Sequence, residues 1–470
     1  MSSVSALNSL LSSSSSTSSI DLSSILEAAY GASSSGIDVT SAVSASVTAA
    51  RAPETAWSNE ESTLQSQASA LKTLQSYTSS LDNDVQSLNS IVGPLSSRAV
   101  SSSNSSIVSA SAASGTTAGT HVVVVNSLAS TASWTSGTFT SASTALPAGS
   151  FTITTGSGTG TTITTDGTQT LSDIANQINS DNLGVTASVV TDASGSRLAI
   201  TANASGNASN FTVGSSNTGF GFTQSATGTN ASLTVDGISI SSASNTVTGA
   251  LSGVTLNLVG ASAGTAVTLT VAPNASSAET AINQFVSDYN TLISALNTQF
   301  TFDGSSEGVL SSDTAVRNLQ NQLLSALSYT YSPSSGSTTM PNLSSMGISV
   351  GNDGTLTVDS STLENALVNN YSDVQNFFQG SSMNGFANTM DQQLTDYISS
   401  GNGAFTVDLQ TINNQIDQEQ QNISDFETNY ITPLQTRLQS QYSSAEALLQ
   451  QLPTLTKQIN TRLGYNNSNG

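Results

Sequence analysis

"LQTINNQIDQEQQNISDFETNY", residues 409–430, places its apolar positions at Leu409, Ile412, Ile416, Ile423, Phe426 and Tyr430. Steps of three and four put these residues on one narrow helical stripe, with Glu419 filling a polar slot. So narrow a stripe cannot bury itself and needs a second helix. The other end of the chain offers one. Trp57, Leu64, Leu71, Leu74, Leu81, Val85, Leu88 and Val92 repeat the spacing, with Glu60, Gln67 and Thr78 in the gaps. Gly93-Pro94 stops that pattern.

The closing stripe runs on through Leu438, Tyr442, Ala445, Leu449, Leu452, Ile459 and Leu463. Four-residue steps at 430, 434, 438 and 442 add a stutter, where a supercoil unwinds locally. Pro433 is expected to break or kink the helix, with Thr432 as the cap of a new one. The helix at 405–463 is therefore expected to pair with the one at 57–92, with Leu71, Leu74 and Leu81 facing Ile412, Ile416 and Ile423.

Between about 100 and 272 the period changes to two. Stretches such as "THVVVVNSLA" (120–129), "SFTITT" (150–155), "GVTASVV" (184–190), "RLAIT" (197–201), "GVTLNLV" (253–259) and "TAVTLTVA" (265–272) read as strands. Asp166-Gly167 and Asp236-Gly237 read as hairpin turns, and "TLSDIANQINSD" (170–181) as one short amphipathic helix. At 276 the helical period returns with a broad apolar face: Ile282, Phe285, Val286, Tyr289, Leu292, Ile293 and Leu296. A hairpin over 346–359, a helix over 361–379 and another over 383–400 complete the pattern. The fold class is α+β and multidomain: a helical stalk or bundle from both chain ends carries inserted antiparallel β-rich head domains.

Composition narrows the function. Of 470 residues only 8% are charged, and the formal net charge is −22, which disfavours nucleic acid and anionic membranes as partners. There is no cysteine. Residues 1–35 are Ser-rich low-complexity sequence, expected to be disordered, and lack the basic and apolar regions of a Sec signal. No apolar run is long enough to form a membrane-spanning helix.

No catalytic, cofactor or metal constellation can be assembled. His121 is the only histidine and stands beside four valines in a strand, so zinc in its usual ligand sets is excluded. "TGSGTGTT" (155–162) lacks the lysine of a phosphate loop and reads as a hairpin tip. "DGTLTVDSSTLE" (353–364) has Thr where a calcium loop needs acids.

Several stretches, in order, resemble the bacterial flagellar filament cap proteins, the hook-associated protein 2 family. They are "GIDV" (36–39), "ARAP" (50–53), "LQSQASALKTLQS" (64–76), "AGTHVVVVNSLA" (118–129), "LTVDGISISSASNTVTGALSGVTLNL" (233–258), "AINQFVSDYNTLISALN" (281–297), "GVLSSDTAVRNLQ" (308–320), "LSSMGISVGNDGTLTVD" (343–359) and "LQSQYSSAEALLQQL" (438–452). The resemblance implies a non-enzymatic homo-oligomeric ring at the distal tip of the flagellar filament, exported by the flagellar type III route without a cleaved signal peptide. It implies flagellin, hook–filament junction proteins and an export chaperone as partners, and extends to cell adhesion through host surface ligands. Flagellin, a junction protein or a surface adhesin are the alternatives. The domain plan that follows is a leader (1–36), N-terminal leg and stalk helix (37–99), a β head in two parts (100–145 and 229–272) around an inserted outer β domain (146–228), a helical bundle with a β-hairpin (273–403), and C-terminal stalk helices and leg (404–470). Thirty-five residues before "GIDV" and a Gln- and Ser-rich stalk depart from the family pattern.

Overall fold

The computed structural model describes residues 38–462, apart from 157, 216–218, 302–306, 334–335 and 337. The leader (1–36) and Leu463 lie outside the described residues. The described chain forms two compact units. One comprises 38–80, 291–322 and 393–462; the other comprises 81–290 and 323–392.

The first unit is helical. Helix α1 (Val39–Ala50) starts because the Asp38 carboxylate accepts from the Ser41 amide at 3.1 Å, satisfying one orphan backbone donor of the first turn, and from the Ser41 hydroxyl at 2.6 Å. Those bonds hold the Asp38 carboxyl below the usual carboxylate range. The residues from Ala52 to Ser80 of helix α2 (Ala52–Asn89) follow directly, with Pro53 in its first turn, where a missing amide costs nothing. The closing helices α9 (Ala404–Phe426) and α10 (Thr432–Arg462) are joined by a π-helical turn, Glu427–Ile431.

That joint corrects one expectation. Pro433 does not end the helix, and Thr432 is helical (φ −62°, ψ −45°) rather than an N-cap. A proline ring collides with the carbonyl four residues back and offers that carbonyl no amide. The wider π turn falls on the residues that would collide, and α10 continues through it. Pro453 is likewise held inside α10.

The second unit holds the β structure. Its largest sheet has the order β1-β15-β3-β11-β12, made from Arg98–Ser102, Val267–Pro273, Gly119–Ser127, Ala231–Val235 and Ile238–Ser242, with every pairing antiparallel. A three-stranded sheet, β13-β14-β2 (Thr246–Leu251, Val254–Leu258, Val108–Ala112), shares its core, where alternate residues Val108, Val123, Val125, Leu233, Leu256 and Leu269 are buried. A second core lies between the four-stranded sheet β10-β4-β8-β7 (Thr223–Ala226, Ser133–Thr135, Gly195–Ala202, Val185–Asp192) and the three-stranded sheet β6-β5-β9 (Thr161–Thr165, Gly149–Thr155, Phe211–Ser215). Helix α3 (Leu171–Ser180) closes that core with Ile174 and Ile178, and starts at a Thr170–Asp173 capping box.

The Asp236-Gly237 hairpin is present, with both residues at positive φ (49° and 82°). Asp166-Gly167 is not a hairpin. Its Asp carboxylate accepts from the Thr168 amide at 2.9 Å, and the chain turns into α3 instead. The segment read as one helix over 361–379 is two, α6 (Ser360–Asn369) and α7 (Tyr371–Gln379), broken at Asn370 (φ −131°, ψ 32°). Strands β1, β2, β4, β10 and β13 have too few large apolar residues to announce themselves; their partners supply the pattern. In the bundle of this unit, Phe285 of helix α4 (Ala275–Phe300) meets Phe378 and Phe386 edge-on.

Candidate interface of the paired terminal helices

Within the helical unit α2 and α9 lie side by side and antiparallel. Trp57 meets Phe426 edge-to-face, Glu61 accepts from the Gln420 amide at 2.7 Å, and Gln75 donates to Thr406 at 3.2 Å. Rising numbers on α2 therefore match falling numbers on α9. Of the residues expected on the seam in this unit, Leu64, Leu71, Leu74, Leu409 and Ile412 are buried. Trp57, Ile416, Ile423 and Phe426 are half-buried, while Tyr430 is half exposed and stacks on Phe426. Polar slots are handled locally. Gln67 donates to the Val309 carbonyl at 3.2 Å and Glu419 accepts from Asn422 at 3.2 Å, while Glu60 is exposed.

Leu81, Val85 and Leu88 do not face Ile416 and Ile423. Gln75 is already level with Thr406, near the start of α9, so the expected Leu81 partnership has no helix left to meet. These three residues are buried in the other unit. There the flanking Asp84 is paired with Asp288 and Asp82 with Asp391, and Gln379 donates to the Leu88 carbonyl at 3.0 Å. Burial first, and the neighbouring carboxyl second, push Asp82 up to about 7 and Asp84 up to about 6. Val92 lies beyond the end of α2 and is 73% exposed.

Helix α1 supplies what reading the sequence missed. Val43 and Val47 bury themselves with Ile431, and Phe426, Leu438 and Tyr442 pack around them. At the α1–α2 junction Arg51 forms a bidentate pair with Glu427, at 2.7 and 2.9 Å, and also binds Glu54. The signal was present as the Asp38–Ser41 cap ahead of Val39, Ala42, Val43 and Val47. It was short and sat beside a low-complexity leader. Farther along α10, Leu449 is half-buried and Leu452 exposed.

His121 is bound by Asp236 (2.7 Å), whose other oxygen accepts the Val122 amide at 2.8 Å, and the pair locks a strand to a turn. Among the described residues no three His, Cys, Asp or Glu side chains are grouped to hold a metal, and no helix is long and apolar enough to cross a membrane.

The C-terminal model of flagellar hook-associated protein 2 matches residues 228–454, and its N-terminal model matches residues 35–132. The chain belongs to the flagellar hook-associated protein 2 family. A flagellin hook IN motif matches residues 150–204, between the two hook-associated segments. The chain is 27% identical over 186 residues to the flagellar hook-associated protein 2 of Aeromonas caviae, covering 38% of this chain and 39% of that one. It is 26% identical over 192 residues to the lateral flagellar hook-associated protein 2 of Vibrio parahaemolyticus, covering 40% and 39%. These matches thus span well under half of each curated relative. The crystal structure of the D1-D2-D3 domains of the flagellar cap protein FliD from Escherichia coli covers 73% of this chain and 99% of its own, with 29% identity and a TM-score of 0.58. The α+β organisation, with helices towards both ends of the described chain and antiparallel sheets between them in sequence, is shared with that member of the hook-associated protein 2 family.

Proposed function

We propose that this chain caps the tip of the bacterial flagellar filament, promotes flagellin polymerisation and prevents loss of subunits. Family membership supports the reading, and one observation carries it: the first and last described helices pair through α1, the π turn and α10. On this reading the role is structural and not enzymatic, which membership of a hook-associated protein family supports. The chain works as a homo-oligomeric ring outside the cell, reached by the flagellar type III route with an export chaperone, and meets flagellin and junction proteins. Paired helices from α1, α2, α9 and α10 serve as stalk and leg. On this reading the outer β body begins near 132, a placement supported by the apolar cluster that Ala132, Trp134 and Phe139 share with Phe151 and Ile200.

Deleting 434–470 tests the reading. A strain carrying that truncation is expected to export flagellin into the medium, with short or absent filaments and no swimming. Normal filaments, with the truncated protein present and folded, overturn the leg mechanism. Loss of attachment alone points to an adhesin.

A further inference from the structure

Among the described residues, helix α10 is covered along part of its length only. Val43 and Val47 of α1 pack with Ile431, Leu438 and Tyr442, and α1 ends beside Glu427 through Arg51. The two helices therefore run in opposite directions, and the chain enters α1 at Asp38 from the side of the later turns of α10. There the stripe continues through Leu449, Leu452 and Ile459, widened by Leu448 and Leu455. Leu448 is 66% exposed, and Leu452, Leu455 and Ile459 are 51%, 48% and 54% exposed. Residues 443–462 span about 30 Å of helix at 1.5 Å per residue.

The sequence just upstream of α1 repeats α1. "IDLSSILEAAY" (20–30) and "IDVTSAVSASV" (37–47) share their Ile-Asp start, the Ser three residues after the Asp, and the apolar spacing. In α1 the Asp and that Ser form the N-cap, and Ala42, Val43 and Val47 are the buried residues. The matching positions are Ile25, Leu26 and Tyr30, all larger. "GASSSG" (31–36) separates the copies and is long enough to let the first lie beyond the second. Charge agrees. In a chain of net −22, residues 443–462 carry Lys457 and Arg462 against Glu446, whereas 20–30 carries Asp21 and Glu27.

We propose that residues 20–30 dock as a second copy of α1 on the open stripe of α10, with Leu22, Ile25, Leu26 and Tyr30 against Leu449, Leu452 and Ile459. Antiparallel continuation from α1 brings the segment to that stripe without a change of direction. Tethering by six residues gives it a high effective concentration that a second chain of the same net charge lacks. The contact extends the terminal pairing beyond the seam already described and does not depend on the filament-cap reading.

The test is amide hydrogen exchange on the full chain beside a variant carrying Ile25→Ser, Leu26→Ser and Tyr30→Ser. Residues 445–462 are expected to exchange on the order of tenfold slower in the unchanged chain, equally at low and high protein concentration. Exchange over 39–50 should be the same in both proteins, which shows that α1 remains docked. Equal exchange over 445–462 in the two proteins overturns the proposal. So does protection that grows with protein concentration, which would make a second copy the occupant.

Discussion

The Trp57 and Phe426 rings meet at 5.3 Å between centroids and at 82°, one near each end of the described chain. Such an edge-to-face pair contributes about 0.5–1.5 kcal/mol beyond the area it buries. Phe426 also stacks on Tyr430 at 5.0 Å, just before the helix passes Pro433. Phe426→Ala is expected to destabilise the helical unit by about 1–3 kcal/mol. Exchange should rise over 52–60 and 420–431 while the β strands stay protected. A uniform rise across both units would show that the ends are not separately stabilised.

Arg51 provides the contrast. Its bonds to Glu54 and Glu427 are well formed, but all three side chains are partly solvated. Arg51→Met is expected to cost less than about 1 kcal/mol, and less still in high salt. Chemical denaturation at low and high ionic strength measures it. A larger loss, insensitive to salt, would mean that the pair is shielded from solvent.

The carboxyls flanking Leu81 and Val85 make stability depend on pH. Asp82 and Asp84 lie at about 7 and 6 in the fold, above their ordinary 3.8. They bind protons more tightly folded than unfolded, so their contribution is complete below about pH 3.8 and is lost as pH rises through 6 and 7. Asp82→Asn is expected to stabilise the second unit by about 1–3 kcal/mol at pH 8 and by almost nothing at pH 4. Thermal melts at the two pH values decide it; equal gains at both would remove the buried charge as the cause.

The outer β body should be removable at a defined seam. The Ser130 amide donates to the Thr229 carbonyl at 3.0 Å, and β3 pairs with β11 next to it. Replacing 131–228 with Asn-Gly should therefore close a hairpin. The shortened chain is expected to unfold cooperatively with the remaining strands intact by circular dichroism. Loss of cooperative unfolding would mean that the two β cores need each other.

The architecture was legible wherever pattern and partner agreed. The three-four stripes of 57–88 and 409–430, the alternating strands and the return of helix at 276 follow from residue spacing, because burial of one face selects the period.

Other features needed the third dimension. The sequence marks Leu71 and Leu81 as one stripe, but Leu81 sits in the other unit because α9 starts level with Gln75. Pro433 announces a break, yet the π turn at Glu427–Ile431 takes up the strain and keeps α10 helical. Asp166-Gly167 and Asp236-Gly237 are the same dipeptide, and only the strand pairing of their flanks decides which becomes a hairpin. Carboxyl pairs such as Asp82 and Asp391 are more than 300 positions apart, so their raised affinity for protons exists only once packing places them together. The sequence by itself determined the elements that carry a clear apolar period, and the face each one buries, since local periodicity encodes both. Which face meets which partner, and in what register, was decided by tertiary packing, because each narrow stripe could accept any other.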